Sequence, residues 1–214
     1  MKILITAGPT REAIDPVRFL SNRSSGKMGY AIAEAAVAAG HDVILVSGPV
    51  CLSPPDGIAE VIKIVSAEDM YQAVEQRIGS VDVAIMAAAV ADYRPATVAG
   101  QKIKKTGESL TLELERTRDI LGSARNVMGF KGLLAGFAAE TENVKANAIG
   151  KMQRKGCDLL FANDVSGSET GFDSDSNEII VFFSDGRELP LDKASKNRLA
   201  ARLIEIIETT AATK

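Results

Sequence analysis

Residues 19–31 read FLSNRSSGKMGYA, and within them Ser24-Ser25-Gly26-Lys27 is a run of the residue types that hold phosphate groups. A nucleotide-triphosphate P-loop would need a glycine five positions before the Gly-Lys pair and a Ser or Thr directly after it. The first lets the backbone wrap a phosphate, and the second supplies a hydroxyl to magnesium. Those positions hold Ser21 and Met28, so the run is not a P-loop. A dinucleotide fingerprint starts immediately after its strand, whereas the apolar run KILITA at 2–7 is separated from Gly26 by a long segment, and only Gly26-x-x-Gly29 survives of the pattern. The spacing does support a helix starting near Gly26, whose unpaired N–H groups and dipole attract a phosphate or carboxylate. Plain capping of that helix by Ser24 or Ser25 accounts for the serines equally well.

Other stretches carry a similar double reading. MAAAVADYRP at 86–95 sets small side chains beside one carboxylate, Asp92. Small residues let a ligand approach the backbone, and they also permit tight strand-to-helix packing around a solvated Asp92. In GFAAET at 136–141, Phe137 and Glu140 fit a stacking face with a polar contact, or core with cap. Lys102, Lys104 and Lys105 crowd one short segment, and Lys151 and Lys155 recur one helical turn apart. Together such cations can converge on a polyphosphate, while each alone reads as a solvated lysine. Cys51 and Cys157 lie in dissimilar contexts and are expected to be buried free thiols, and the single histidine, His41, follows Ala-Ala-Gly and is expected in a surface turn.

The elements that must position these groups alternate between strand and helix. KILITA is a short buried strand, GKMGYAIAEAAVAAG a helix closed by Gly40, and DVILVSG a second buried strand. IKIVSA, DVAIMAAAVADY, LLAGFAAE and CDLLFAND continue the strand series. A helix capped by Ser66 and another over roughly 141–155 lie between them. The fold class expected is α/β, a doubly wound Rossmann-like, mostly parallel sheet, its ligands at the carboxyl edge of the strands. Two segments depart from this. QKIKKTGESLTLELERT alternates apolar and polar residues around Thr106-Gly107, which predicts a projecting β-hairpin over about 100–117. NEIIVFFSDGRELPL predicts a second hairpin around Asp185-Gly186 at the sheet edge, followed by an amphipathic helix from about Lys193 to Glu208, so that the C-terminal unit covers about 177–208.

The bulk numbers fit a single domain over residues 1–214. The chain is 46% apolar and 25% charged with a formal net charge of −3, which provides no overall electrostatic footprint for nucleic acid. No apolar run approaches a membrane span and MKILITAGPT does not read as a signal sequence, so a cytoplasmic protein with no membrane partner is expected.

ITAGPTREAIDPVRFLSNRSSGKMG, AAAVADYRP, KIKK, GFAAET and KMQRKGCDLLFANDV occur in that order, and together they resemble phosphopantothenoylcysteine synthetase in its bacterial, CTP-using form, over about residues 2–208. The resemblance implies a ligase of coenzyme A biosynthesis that joins 4′-phosphopantothenate to L-cysteine through a 4′-phosphopantothenoyl-CMP intermediate, with Mg2+ or Mn2+ bridging the triphosphate. It further implies catalytic roles for Asn22 and Lys102. Nucleotide contacts are implied for Met86, Ala87, Ala88, Asp92, Lys102, Arg118, Asp119, Ile120, Leu121, Phe137, Lys151 and Lys155. The acid would be held by Asn22, Ser24, Ser25, Gly26 and Ala89, while no protein ligand for the metal is implied. Arg118 stands where the family commonly has proline. The hairpin after the fourth strand is implied to serve as a dimerisation element of a homodimer, with KIKK as a flap. Many members carry a flavin-dependent decarboxylase before this region, for which this chain has no room. Two other readings of the alternating pattern are an NAD(P)-dependent reductase, disfavoured by the missing glycine fingerprint, and a nucleotide-binding module without turnover.

Overall fold

A computed structural model describes residues 1–105, 107–140, 144–164 and 176–213. The first strand, β1 (Lys2–Ala7), is followed by a two-stranded antiparallel ribbon of β2 (Arg11–Ala13) and β3 (Phe19–Ser21), then by helix α1 (Lys27–Ala38) and strand β4 (Asp42–Ser47). Next come β5 (Glu60–Lys63), α2 (Ala67–Ile78), β6 (Val83–Met86) and a second small ribbon, β7 (Tyr93–Pro95) with β8 (Leu114–Arg116). Helix α3 (Ile120–Asn126), β9 (Leu133–Glu140), α4 (Val144–Lys155), β10 (Leu159–Asp164), β11 (Ser176–Phe183), β12 (Glu188–Ser195) and α5 (Lys196–Ala212) complete the chain.

The main sheet runs β12-β11-β10-β9-β6-β1-β4-β5. Its pairings from β10 through β5 are parallel, and β11 and β12 close one end as an antiparallel hairpin. The chain therefore winds outward from β1 in one direction to β4 and β5, and in the other to β6, β9 and β10. The reversal leaves a crevice at the carboxyl ends of β1 and β6, the place where such sheets bind ligands.

Both faces of β1 are apolar because both are covered. Ile3 and Ile5 join Tyr30, Ile32, Leu203 and Ile207 beneath α1 and α5, while Leu4 joins Met70, Val74, Ala124 and Met152 on the side of α2, α3 and α4. This is the continuous hydrophobic pattern expected of buried parallel strands. Ser66 caps α2 in a full capping box with Asp69, and Asp119 caps α3 by accepting from Gly122 N–H at 3.0 Å. No helix among the described residues is long and apolar enough to cross a membrane.

Several expectations need correction. Residues 100–105 and 107–113 form no strand, and β8 pairs with β7 rather than across residues 106–107; Thr106 itself lies outside the described residues. Alternation predicts a strand only where one face can be buried, and most of 101–116 is exposed on both sides. The ribbon of β2 and β3 and the short helix α3 were not legible in the pattern. Helix α5 begins at Lys196 behind a Ser195 cap and continues to Ala212. Of the helix expected over 141–155, residues 141–143 lie outside the described residues. Cys51 is exposed rather than buried, whereas Cys157 is buried as expected. His41 is more enclosed than a turn residue, its ring held between Glu208 Oε1 (3.0 Å from Nε2) and the N-terminal amine (3.4 Å from Nδ1).

Candidate functional site

Two cavities open at the crevice. The larger, about 510 Å³, lies over β6 between α2, α3 and α4. The smaller, about 290 Å³, lies over the start of α1. They share Ala88, Val90, Asp92, Phe137 and Lys151, so they meet along one wall.

Phe137 of β9 and Lys151 of α4 contribute to that wall, but most of it is the segment after β6, which the loop after β1 holds in place. Ala89 N–H donates to Gly8 O at 2.9 Å, Ala88 N–H to Thr6 Oγ1 at 3.2 Å, and Ala91 N–H to Thr10 Oγ1 at 3.0 Å. Two threonine hydroxyls thus reinforce the backbone bonds by which the β1–β6 pairing runs on past the two strands, as far as the parallel bridge between Pro9 and Ala89. Asn22 Nδ2 donates to Ala89 O at 3.0 Å, which brings Asn22 beside the alanine run although it lines neither cavity.

The start of α1 explains its glycines. Gly26 is the N-cap with φ 79°, a left-handed conformation that a β-carbon would strain. A β-carbon on Gly29 would lie 2.6 Å from Ala7 Cβ, so its absence lets the helix sit directly on β1. These are the two roles that survive from the dinucleotide fingerprint: a backbone turned toward the ligand and close helix–strand packing. Ser24 Oγ accepts from Gly26 N–H at 3.3 Å, and Ser24, Ser25 and Gly26 line the smaller cavity with Ala87 and Ala89.

The larger cavity gathers Met86, Arg118, Asp119, Ile120, Leu121 and Lys155 in addition to the shared residues. Four cations (Arg116, Arg118, Lys151 and Lys155) face two carboxylates, Asp92 and Asp119, which suits an anionic ligand. Lys151 Nζ donates to Phe137 O at 2.8 Å, and Phe137 packs edge-on against Phe161 with ring centres 5.1 Å apart. Lys155 is ion-paired with Asp119. Burial raises the Asp119 pKa, but the Lys155 ammonium and the Gly122 N–H outweigh it and hold the carboxyl below the ordinary aspartate value. Arg118 leans out of the loop onto α2, with its guanidinium 3.3 Å from the centre of the Tyr71 ring and its Nη1 3.1 Å from Glu68 Oε1. Arg118 is thereby accommodated without disturbing the Asp119 cap.

Lys102 is exposed and lines neither cavity. The side chain of Glu140 lies outside the described residues. Sequence reasoning missed Thr6 and Thr10, the tethers of the alanine wall, and it missed Asn163, Asn177 and Lys196 in the smaller cavity. Asn163 sits at the end of a buried apolar strand, a signal that could have been used. Asn177 (4% exposed) and Lys196 (5% exposed) come from the edge hairpin and α5, and nothing local marks them. Among the described residues no three His, Cys, Asp or Glu side chains cluster in a way that could hold a metal ion. Asp92 is the carboxylate that the two cavities share.

Residues 1–210 match the family described as DNA/pantothenate metabolism flavoprotein C-terminal domain. Among curated proteins, the chain is 52% identical over 194 residues to the coenzyme A biosynthesis bifunctional protein CoaBC of Bacillus subtilis, a match that takes in 88% of this chain and 47% of that protein. The chain spans about half the length of the curated relatives it matches. Among solved structures, the C-terminal domain of a coenzyme A biosynthesis bifunctional protein CoaBC is 44% identical with a TM-score of 0.85, covering 100% of this chain and 96% of that one. The DNA/pantothenate metabolism flavoprotein of Streptococcus pneumoniae is 25% identical with a TM-score of 0.82, covering 98% and 99%.

Proposed function

Since the chain belongs to the DNA/pantothenate metabolism flavoprotein C-terminal domain family, we propose that it is a phosphopantothenate–cysteine ligase that uses CTP. The observation that carries this reading is the shared wall of Ala88, Val90, Asp92, Phe137 and Lys151. A nucleotide in the larger, cation-lined cavity and an anionic acid at the start of α1 would abut there.

In the first step a carboxylate oxygen of 4′-phosphopantothenate attacks the α-phosphorus of CTP, and pyrophosphate leaves with the electron pair of the broken P–O bond. In the second, the amino nitrogen of cysteine attacks the acyl carbon, CMP departs, and the nitrogen loses a proton to give the amide. A carboxylate is a poor electrophile until it becomes a mixed anhydride, which is why the nucleotide is needed. Lys151 and Lys155, with Lys102 once its side chain turns toward the cavity, offset charge on the phosphates. A Mg2+ or Mn2+ held by the phosphates would supply the remaining charge neutralisation. Met86, Ala87, Ala88 and residues Arg118 to Leu121 flank the nucleoside, and Ser24, Ser25, Gly26 and Ala89 hold the acid. One Asn22 amide proton is used on Ala89 O, and the second is suited to the acyl oxygen as charge develops on it.

By the same reading the chain acts as a homodimer. Val17 and Phe19 on the first ribbon, and Tyr93 and Leu114 on the second, are exposed, and β2 lies against β7. The other half of its longer relatives would be a flavin-dependent decarboxylase. The test is pyrophosphate release from CTP. It should require phosphopantothenate and a divalent metal, and ATP should substitute poorly. Tight binding of NADPH in place of CTP would favour the reductase, and CTP binding without pyrophosphate release would favour a non-catalytic module.

A further inference from the structure

Asp15 lies in the turn between β2 and β3 and lines neither cavity, yet its side chain is 0% exposed. Its Oδ1 accepts from the N–H groups of Val17 and Arg18, both at 2.9 Å. Its Oδ2 accepts from Arg18 Nε at 3.1 Å, from Arg18 Nη2 at 2.6 Å and from Ile103 N–H at 3.1 Å. The same Arg18 Nη2 donates to Ile103 O at 3.1 Å. One ion pair therefore grips both backbone polar groups of a single residue, the one that follows Lys102. Beyond it, residues 104, 105 and 107–113 carry no regular secondary structure and are mostly exposed.

We propose that Asp15 is a positioning residue for Lys102: with Arg18 it fixes Ile103 as the pivot from which the Lys102 side chain reaches the nucleotide. The inference rests on the ligase reading of Lys102. A cation on an otherwise irregular segment samples many placements, and only those over the cavity contribute to the transition state, so a fixed neighbour raises the productive fraction. Anchoring at the backbone rather than the side chain of Ile103 leaves Lys102 free to turn while its Cα stays placed. Two guanidinium N–H groups of Arg18 converge on the one oxygen Oδ2, which gives the anchor a defined orientation that a single point charge would not. Arg18, against the cost of burial, holds the Asp15 carboxyl well below the usual carboxylate range, so the anchor stays charged at neutral pH.

The experiment uses the whole chain with two substitutions, Asp15→Asn and Ile103→Pro. The first removes the charge and leaves Ile103 N–H without its carboxylate. The second removes that N–H and leaves Asp15 and Arg18 intact. Hydrogen–deuterium exchange at the Ile103 amide should speed up at least about tenfold in Asp15→Asn, the signature of a lost local restraint. In both variants kcat for CTP-dependent pyrophosphate release should fall by about tenfold or more, with the KM for CTP within about twofold, as expected for loss of an interaction made in the transition state. Unchanged Ile103 exchange in Asp15→Asn overturns the proposal. So does a kcat loss in Asp15→Asn that Ile103→Pro does not reproduce, because Asp15 would then serve only its own turn. If wild type releases no pyrophosphate from CTP, the ligase reading fails and takes the role of Lys102 with it, whatever the exchange data say about the anchor.

Discussion

The ammonium of Lys155, in the last turn of α4, is paired with the carboxylate of Asp119, the cap of α3, so two helices are joined across the floor of the larger cavity. The same ammonium is the one proposed to meet a nucleotide phosphate. Lys155→Met should therefore raise the KM for CTP by about tenfold or more, the value of one charge-assisted contact, while stability changes little. With Asp119 about half exposed, solvent screening keeps the pair within about 1 kcal/mol. The pH dependence follows from the lowered Asp119 pKa. The pair's contribution is fully present above the ordinary aspartate value of about 3.9 and is lost as pH falls through the lower folded value. Urea unfolding of wild type and Lys155→Met should accordingly differ at neutral pH and converge toward acid.

Gly29→Ala should destabilise by about 1–3 kcal/mol, because the new β-carbon would meet Ala7 Cβ at 2.6 Å inside a packed helix–strand contact. Calorimetry should show a fall of roughly 2–4 °C in Tm for each kcal/mol. An unchanged Tm would mean that α1 can lift from β1 without cost.

Asn22→Asp should still release pyrophosphate from CTP but stall before cysteine transfer. Its carboxylate would repel charge on the acyl oxygen, to which the native amide is proposed to donate. The acyl-cytidylate should then accumulate and be isolable by rapid quench. Normal amide formation by this variant would remove Asn22 from the second step.

On the homodimer proposed above, Leu114→Asp should halve the mass in light scattering, since Leu114 is exposed on β8 where it pairs with Pro95 of β7. An unaltered mass would place the contact elsewhere.

The two cysteines should separate cleanly by reactivity. Burial pushes the Cys157 thiol up to about 12, while Cys51 is exposed. Ellman's reagent at pH 8 should titrate Cys51 in the native protein and reach Cys157 only after unfolding.

The parallel core was readable because buried strands such as KILITA and LLAGFAAE carry their burial on both faces, and because Ser66 announces a helix start in its own local chemistry. The 100–117 segment misled because alternation reports an opportunity for a half-buried strand, and outside β8 its described residues form none and are mostly exposed in the single chain. The cavity wall was visible as a run of alanines, but its tethers were not, since Thr6 and Thr10 act through hydroxyls on residues about eighty positions later. Asn177 and Lys196 were illegible for the same reason at a longer range.

The smaller cavity takes Ser24–Gly26 from near the beginning of the chain and Lys196 from near its end, with α1 packed on α5 beneath them. During synthesis, then, the pocket cannot be completed until α5 has left the ribosome. A product truncated before α5 would lose one side of the pocket together with the helix that covers the sheet.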